Sequence, residues 1–530
     1  MPTFNELYLA WRTARRRKRP SHNQLSFESR WLENLISLRD TLQQGEWWPM
    51  PAVCFVTTRP KAREIHAPDF ADRVVHHWLV PRLESLFEPV FVHDSYSNRK
   101  GKGTHAAVDR LQAFMRQVRD GVGGGKGWCL QLDIKNFFNR IHRPTLYDLL
   151  KRRLDKTGVP GGTNESRLMR LLCHRLLARH PSQGVRYRGD VALREAVPPH
   201  KRLSNAPKGC GLPIGNLTSQ FFANVYLNEL DQFIKHGLKC KRYVRYVDDF
   251  VLVHESREQL VTWLVEIERF LAEHLRLELK EDIRLRPIDA GVDFLGYHLF
   301  AHGRRLRKRV IAHCRERLVA WQCRHVVSSG VPVSGTVIHA PPVAVAALRA
   351  QLASYQGHFS HASHGGRHAW ARLVVDFPWL KALFTTPEKG DFRLRTTPDG
   401  VTSYASQVRW FMRCYPWLDC LLVQRGNRYW LHDSATGGIG QCATRDIHAL
   451  SWWFLAASTK DAPPIDAVTI DSAQSASSCS VPVATVSPGV VSALCRTMVS
   501  DGISCGVVAE HGWLRGGMRR RVLVRMQMTA

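Results

Sequence analysis

Along the first half of this chain the hydrophobic period changes several times, and each change marks an element. Leu7, Leu9 and Ala10, then Trp31, Leu32, Leu35, Leu38 and Leu42, recur at three- and four-residue steps, which predicts helices across residues 1–50. Residues 51–66 read as a strand, a basic turn and a second strand. Residues 69–90 and 104–120 return to helical spacing. A glycine-rich stretch at 121–127 precedes the strand-like Cys129-Leu130-Gln131-Leu132-Asp133. No Ser or Thr follows Lys126, and a strand follows where a phosphate loop needs a helix, so this stretch is a turn. Gly101-Lys102-Gly103-Thr104 fails the same test. Helices and a Pro-rich irregular stretch fill 141–200. One long helix is predicted over 216–237 with Asn216 as its cap. A hairpin at 241–253, a helix at 256–274 and strands near 276–286 and 292–300 follow.

The hairpin carries the most informative residues. In Lys241-Arg242-Tyr243-Val244-Arg245-Tyr246-Val247-Asp248-Asp249-Phe250-Val251-Leu252-Val253, two adjacent acids interrupt apolar and aromatic residues that favour strands. Adjacent acids at a turn are costly unless neutralised, and hard divalent cations take carboxylate oxygens. Asp133 ends the earlier strand and supplies a third acid. Asp133 and Asp248 together could hold two metals, the arrangement that stabilises attacking and leaving oxygens in phosphoryl displacement. The alternative is an ordinary turn acid in each place.

Composition narrows the partners. Of 530 residues, 75 are Lys or Arg against 46 acids, a formal charge of +29. Such a charge suits polyanions. No run approaches the roughly 20 apolar residues of a membrane span, and Met1-Pro2-Thr3-Phe4-Asn5-Glu6 lacks the apolar core of a signal peptide. Arg15-Arg16-Arg17-Lys18-Arg19 reads as a nucleic-acid-facing patch or a solvated helix end. The 13 cysteines show no C-x-x-C pair, which argues against structural zinc and a disulfide framework and for a reduced, cytoplasmic protein. His358, His361, His364 and His368 fall on one helical face, without a Cys or acid to complete a ligand set.

These motifs resemble reverse transcriptases, whose palm carries an acid-x-x-x-aromatic-aromatic motif and a [YF]-x-D-D box. The resemblance covers about residues 1–385. Gly211-Leu212-Pro213-Ile214-Gly215-Asn216-Leu217-Thr218-Ser219-Gln220 narrows it further. It is similar to the enzymes of diversity-generating retroelements, which carry I-G-x-x-x-S-Q where most relatives have Q-G-x-x-x-S-P. Arg63-Glu64-Ile65-His66-Ala67-Pro68, His93-Asp94-Ser95-Tyr96 and Arg99-Lys100-Gly101-Lys102-Gly103-Thr104-His105 resemble the same group.

The resemblance implies an α+β right-hand polymerase, with fingers and palm over 1–300 and a basic helical thumb over 301–385. It implies RNA-directed DNA polymerase activity. Asp133, Asp248, Asp249 and the carbonyl of Ile134 would bind two Mg²⁺ ions, with Mn²⁺ as substitute. Lys61, Arg63, Phe138, Ile214, Gly215, Gln220 and Lys280 would meet the incoming nucleotide. Phe138 would crowd a 2′-hydroxyl, and Lys280 would protonate pyrophosphate. Arg99, Lys100, Ser219 and Gly296 would contact template or primer. So would Arg304, Arg305, Arg307 and Lys308 at the start of a basic helix running to about His325. The implied partners are template RNA, its cDNA, dNTPs and a small basic accessory RNA-binding protein, with no membrane.

Residues 386–402 read as a linker, punctuated by Thr386, Pro387, Gly390, Pro398 and Gly400. Residues 403–530 form a helix, a hairpin about Arg425-Gly426-Asn427 and later strands near 506–510 and 521–525. This order resembles the N-terminal mixed α/β domain of MutS-type mismatch repair proteins. Arg428 and Trp430 stand where that family places its mismatch-probing Phe and Glu; they could still bind nucleic acid by charge and stacking. A retained module for protein contacts is the alternative.

Three functions compete: an error-prone retroelement polymerase, a phage-defence reverse transcriptase with a dedicated noncoding RNA, and a catalytically silent RNA-binding scaffold. All three share one expectation. RNA affinity measured from 50 to 200 mM salt should fall about 10³-fold or more, by counterion release.

Overall fold

Four antiparallel strands stand at the centre of the first part of the chain, in the order Tyr243–Tyr246, Asp249–His254, Trp128–Asp133, Arg284–Pro287. Their apolar runs follow from burial, since Leu130, Leu132, Phe250, Val251 and Leu252 are all buried. The helices Thr104–Arg119 and Arg257–Phe270 pack against this sheet. A smaller sheet orders Arg63–Ala67, Val53–Thr57 and Arg186–Tyr187. In the computed structural model the described residues are 1–16, 21–58, 61–121, 127–156, 162–328, 336–339, 342–363, 365–394, 403–414, 418, 420–425, 428–433, 468–470, 484–486, 491, 495, 505–513 and 519–527. The chain divides into two units, Met1–Gly303 and Arg304–Ala530.

In the first unit most elements lie where the periodicity predicts. The N-terminal helices are Phe4–Arg15, His22–Ser29 and Trp31–Gln43. Thr3 and Glu6 close a capping box on the first. The basic run after it is described only at Arg15 and Arg16; Arg15 pairs with Glu28 and stacks on Trp11. The helix Leu217–Gln232 carries Asn216 at its N-cap position, yet the Asn216 side chain makes no cap hydrogen bond.

A buried ion pair ties these elements together. Arg245, 1% exposed, sits on the Tyr243–Tyr246 strand. Its Nε and Nη2 donate to the two carboxylate oxygens of Asp231 at 2.7 and 2.6 Å. The Tyr243 hydroxyl donates to the same carboxylate at 2.7 Å. Arg245 also donates to Ser95 Oγ, to Asn224 Oδ1 and to the carbonyl of Val247. The helix Leu217–Gln232, the segment at Ser95 and the acid turn therefore share one guanidinium.

The second unit holds the helices Lys308–His325, Pro342–His361, Gly366–Asp376 and Trp379–Leu383. The expected basic helix starts later than its charge run, because Gly303–Leu306 is a strand. An extended backbone sends Arg304 and Arg305 to opposite sides, whereas a helical turn crowds like charges. The expected histidine face is broken: one helix ends at His361 and the next begins at Gly366, with His364 outside the described residues. A Cβ at Gly366 would lie 2.1 Å from the Phe359 carbonyl, so the chain turns tightly here.

An eight-stranded sheet orders Val326–Ser328, Thr336–His339, Arg519–Gln527, Cys505–Trp513, Cys420–Arg425, Arg428–Asp433, Ala484–Val486 and Val468–Ile470. The hairpin and late strands expected near the C-terminus are present, as is the helix Tyr404–Cys414. The sheet also takes strands from before residue 386, so one sheet serves both sides of the stretch read as a linker. At the start of that stretch Phe384–Thr386 and Asp391–Leu394 pair as a hairpin. Residues 395–402 lie outside the described residues.

Removing one partner of a fully buried ion pair leaves the other charge without compensation. Arg245→Ala should cost about 3–5 kcal/mol in urea unfolding. Arg242→Ala, which loses only the surface pair with Glu255, should cost less than about 1 kcal/mol.

Candidate active site

The three acids converge through strand register. Asp133 ends one central strand and lies directly opposite Asp249, which opens its neighbour. Tyr246 pairs with Asp249, which leaves Val247 and Asp248 as a two-residue turn. Val247 has φ 59°, a left-handed conformation that is strained for a β-branched residue and costs on the order of 1–3 kcal/mol. The turn is held at both carbonyls. Arg245 Nη1 donates to the Val247 carbonyl at 3.0 Å, and the Ile134 N–H donates to the Asp248 carbonyl at 3.2 Å. Strain stored beside paired acids is a mark of a functional site.

The electrostatics ask for positive charge. Burial pushes Asp248 up to about 6, and the Asp133 carboxylate adds to this while Lys280 and Arg63 oppose it. Burial pushes Asp249 up to about 7; the hydrogen bond from Gln131 opposes this, and the carboxylates of Asp133 and Asp248 reinforce it. Asp133 Oδ1 is buried without a hydrogen-bond partner among the described residues. Asp133 Oδ2 accepts from Lys280 Nζ, and the Lys280 N–H donates to the Asp133 carbonyl. One ammonium facing three carboxylates leaves excess negative charge and an unmatched oxygen. A hard divalent cation fits both.

Around the acids, the predicted residues divide. Phe137 is 2% exposed and belongs to the core, while Phe138 beside it is half-buried. Lys61 and Arg63 are exposed on the Val53–Thr57 and Arg63–Ala67 hairpin, and the charge of Arg63 reaches Asp248. Ile214 is half-buried; its carbonyl accepts the His66 N–H at 2.8 Å. Gly215 has φ 120°, and a Cβ there would meet Ile65 and the His66 carbonyl at 3.0 and 3.2 Å. Only glycine lets this loop lie against the hairpin. Gln220 is exposed in the first turn of its helix. Leu295 (φ 46°) and Gly296 (φ 92°) form the turn of a hairpin between Val292–Phe294 and Tyr297–Phe300.

Two predicted contacts face inward. Ser219 is 2% exposed, so the core and not a template surrounds it. Arg99 donates to both Glu88 oxygens and to the Val92 and Ser95 carbonyls, which engages its guanidinium inside the fold. Lys100 remains at the surface, 3.8 Å from Glu84. In the second unit Arg304 bonds His361 and Ser363, Arg305 lies on the Gly303–Leu306 strand, and Arg307 caps the helix that Lys308 begins. Arg428 and Trp430 lie on a backbone strand opposite Arg425 and Val423.

Residues that sequence reasoning passed over are those supporting the turn: Arg245, Asp231, Ser95, Asn224 and Gln131. Arg245 left a signal, a charge within an otherwise apolar strand. Asp231 left none, because its partner lies 14 residues away.

Residues 57–299 match the family model for reverse transcriptase (RNA-dependent DNA polymerase). They form a reverse transcriptase domain. The central sheet, with Asp133, Asp248 and Asp249 at one end, lies within this match. The chain is similar to protein YkfC of Escherichia coli, 24% identical over 312 residues, covering 52% of this chain and 74% of that protein. It is similar also to the group II intron-encoded protein LtrA of Lactococcus lactis, 23% identical over 333 residues. That match covers 50% of each protein, so this chain spans half the length of LtrA. Among solved structures, apo telomerase from Candida tropicalis overlaps at 12% identity with a TM-score of 0.37, covering 69% of this chain and 64% of that one.

The raised acids set a pH dependence. Asp248 and Asp249 keep protons in the native state that the unfolded chain releases above the ordinary value of 3.8. Native stability without divalent cations should therefore be fullest below about pH 4 as far as these groups go, and fall as pH rises toward 7. Thermal melts in EDTA should show this fall, Asp249→Asn should reduce it, and Mg²⁺ should raise Tm at pH 8 more than at pH 5.

Proposed function

We propose that the protein copies an RNA template into cDNA with frequent errors at template adenines, as the polymerase of a diversity-generating retroelement. The convergence of Asp133, Asp248 and Asp249 on one unmatched carboxylate oxygen is the observation that carries the polymerase part. Divalent cations bound there, two Mg²⁺ or Mn²⁺ in their place, would supply the charge that stabilises attacking and leaving oxygens in nucleotidyl transfer. The remaining work belongs to side chains. Arg63 and Lys61 bind the triphosphate through charge-assisted hydrogen bonds. Lys280, held against Asp133, is placed to give a proton to departing pyrophosphate. Phe138, half-open beside the buried Phe137, presents a ring that crowds a 2′-hydroxyl and favours dNTPs.

Ile214 supports the error-prone part. An aliphatic side chain at this half-buried position offers the incoming nucleotide no hydrogen bond. Sites that discriminate by hydrogen bonds reject analogues by far larger factors than apolar pockets do. The position is well supported, since Gly215 and the His66 N–H fix the backbone on either side of the Ile214 carbonyl. Arg304, Arg305, Arg307 and Lys308 supply phosphate contacts that hold the template–primer duplex without reading its sequence. The C-terminal sheet, with Arg428 and Trp430, serves nucleic-acid or accessory-protein binding.

Primer extension on an RNA template with dNTPs and Mg²⁺, followed by cDNA sequencing, tests the proposal. The wild-type chain should make cDNA with errors concentrated at adenines. Asp248→Ala should lower synthesis at least about 10²-fold, the scale on which loss of one charge-stabilising group shows. Ile214→Gln should lower adenine errors while synthesis persists. Unchanged errors in that variant would remove Ile214 from the mechanism, and faithful copying by the wild type would favour a defence enzyme with a dedicated RNA.

A further inference from the structure

The fingers hairpin holds a second cluster of potential ligands, separate from the catalytic acids. Cys54 and His66 are direct cross-strand partners, so their side chains leave the same face of the hairpin. Glu64 lies two residues before His66 and shares that face through the two-residue strand period. Cys54 is 1% exposed, Glu64 4% and His66 1%. Cys54 Sγ, a Glu64 carboxylate oxygen and a His66 ring nitrogen all lie within 4.8 Å of one another.

Hydrogen bonding does not account for this grouping. Glu64 Oε2 accepts the Leu203 N–H at 2.9 Å and stands 3.6 Å from His66 Nε2. Glu64 Oε1 has Arg194 Nε at 4.0 Å, beyond hydrogen-bond reach. The Arg194 guanidinium instead stacks 3.8 Å above the Tyr187 ring. Glu64 Oε1 and both His66 ring nitrogens have no hydrogen-bond partner among the described residues. Buried polar atoms left this way cost on the order of 1–3 kcal/mol each, so a cluster of them at one point calls for a ligand.

We propose that Cys54, Glu64 and His66 bind one divalent cation of the zinc class. Sulfur, imidazole nitrogen and carboxylate oxygen together suit a borderline-soft ion, whereas Mg²⁺ and Ca²⁺ favour all-oxygen sites. Bonds of about 2.0–2.3 Å place tetrahedral ligand atoms roughly 3.3–3.8 Å apart, so binding draws the three side chains together by up to about an ångström. A water fills the fourth position. Cys54 binds as thiolate: the S–H bond breaks, the sulfur–metal bond forms, the proton leaves to solvent, and nothing is oxidised. Arg194 remains beside Glu64 as a competing cation.

The position gives the site a structural role. It would staple the two fingers strands at the point where the His66 N–H holds the Ile214 carbonyl. It would also stiffen the strand that carries Arg63. No C-x-x-C spacing announces such a site, because its ligands come from two strands and meet only through register.

Zinc content of the full-length chain tests the proposal in an Asp133→Asn/Asp248→Asn background, which weakens binding at the catalytic acids. After brief EDTA treatment and gel filtration, elemental analysis should find about one zinc per chain. Cys54→Ser and His66→Gln should each lower this at least about tenfold. Cobalt loading gives a second readout that needs no variant at the cluster: the chain should show a near-ultraviolet thiolate-to-cobalt band. Failure to take up zinc together with no thiolate band on cobalt addition would overturn the proposal. So would retention of zinc by folded Cys54→Ser and His66→Gln proteins.

Discussion

The bidentate contact between Arg245 and Asp231 is the constraint on which the acid turn depends. A guanidinium at 1% exposure is tolerable only with its charge and its donors matched. Asp231 matches the charge, while Ser95, Asn224 and the Val247 carbonyl take remaining donors. That last bond links the network to the three acids, because Val247 is the strained residue of the acid turn. The polar network thus places the turn, and the apolar strands on either side keep it from relaxing.

What the network holds is a repulsive arrangement. Asp133, Asp248 and Asp249 are brought together by register although their charges oppose it, and Lys280 offsets only part of the repulsion. The folded chain accepts this cost at one end of the sheet, where neighbouring apolar pairs such as Leu132 with Phe250 hold the strands in place. Raised acids, an unmatched Asp133 oxygen and a left-handed valine are three consequences of one arrangement. The Cys54, Glu64 and His66 cluster likewise gathers unmatched polar atoms on one face of a hairpin.

Much of the first unit could be read from periodicity. The N-terminal helices, the hairpin at 241–253, the strand ending at Asp133 and the Phe294–Tyr297 turn appear where apolar spacing and glycine placed them, whereas the strand expected over 276–286 begins only at Arg284. The basic run after Gly303 was harder. Six residues, five of them cationic, are compatible with a helix by propensity, but its start is set by an extended strand. The inward turn of Arg99 and the burial of Ser219 could not be read either. A surface arginine and an engaged one have the same local sequence, and only Glu88 and two carbonyls distinguish them.

The sequence by itself determined the residue types on which the polymerase reading rests. Acid residues at strand ends, an aliphatic residue in the Ile214 loop and a charge of +29 are local or additive properties that folding does not alter. Tertiary structure decided which side chains meet. Asp231 of a helix meets Arg245 of a strand, the Gly215 loop meets His66, and Cys54 meets Glu64 across a hairpin. Those distances depend on register and packing; a one-residue slip of the Val53–Thr57 strand would turn Cys54 to the face opposite Glu64 and His66.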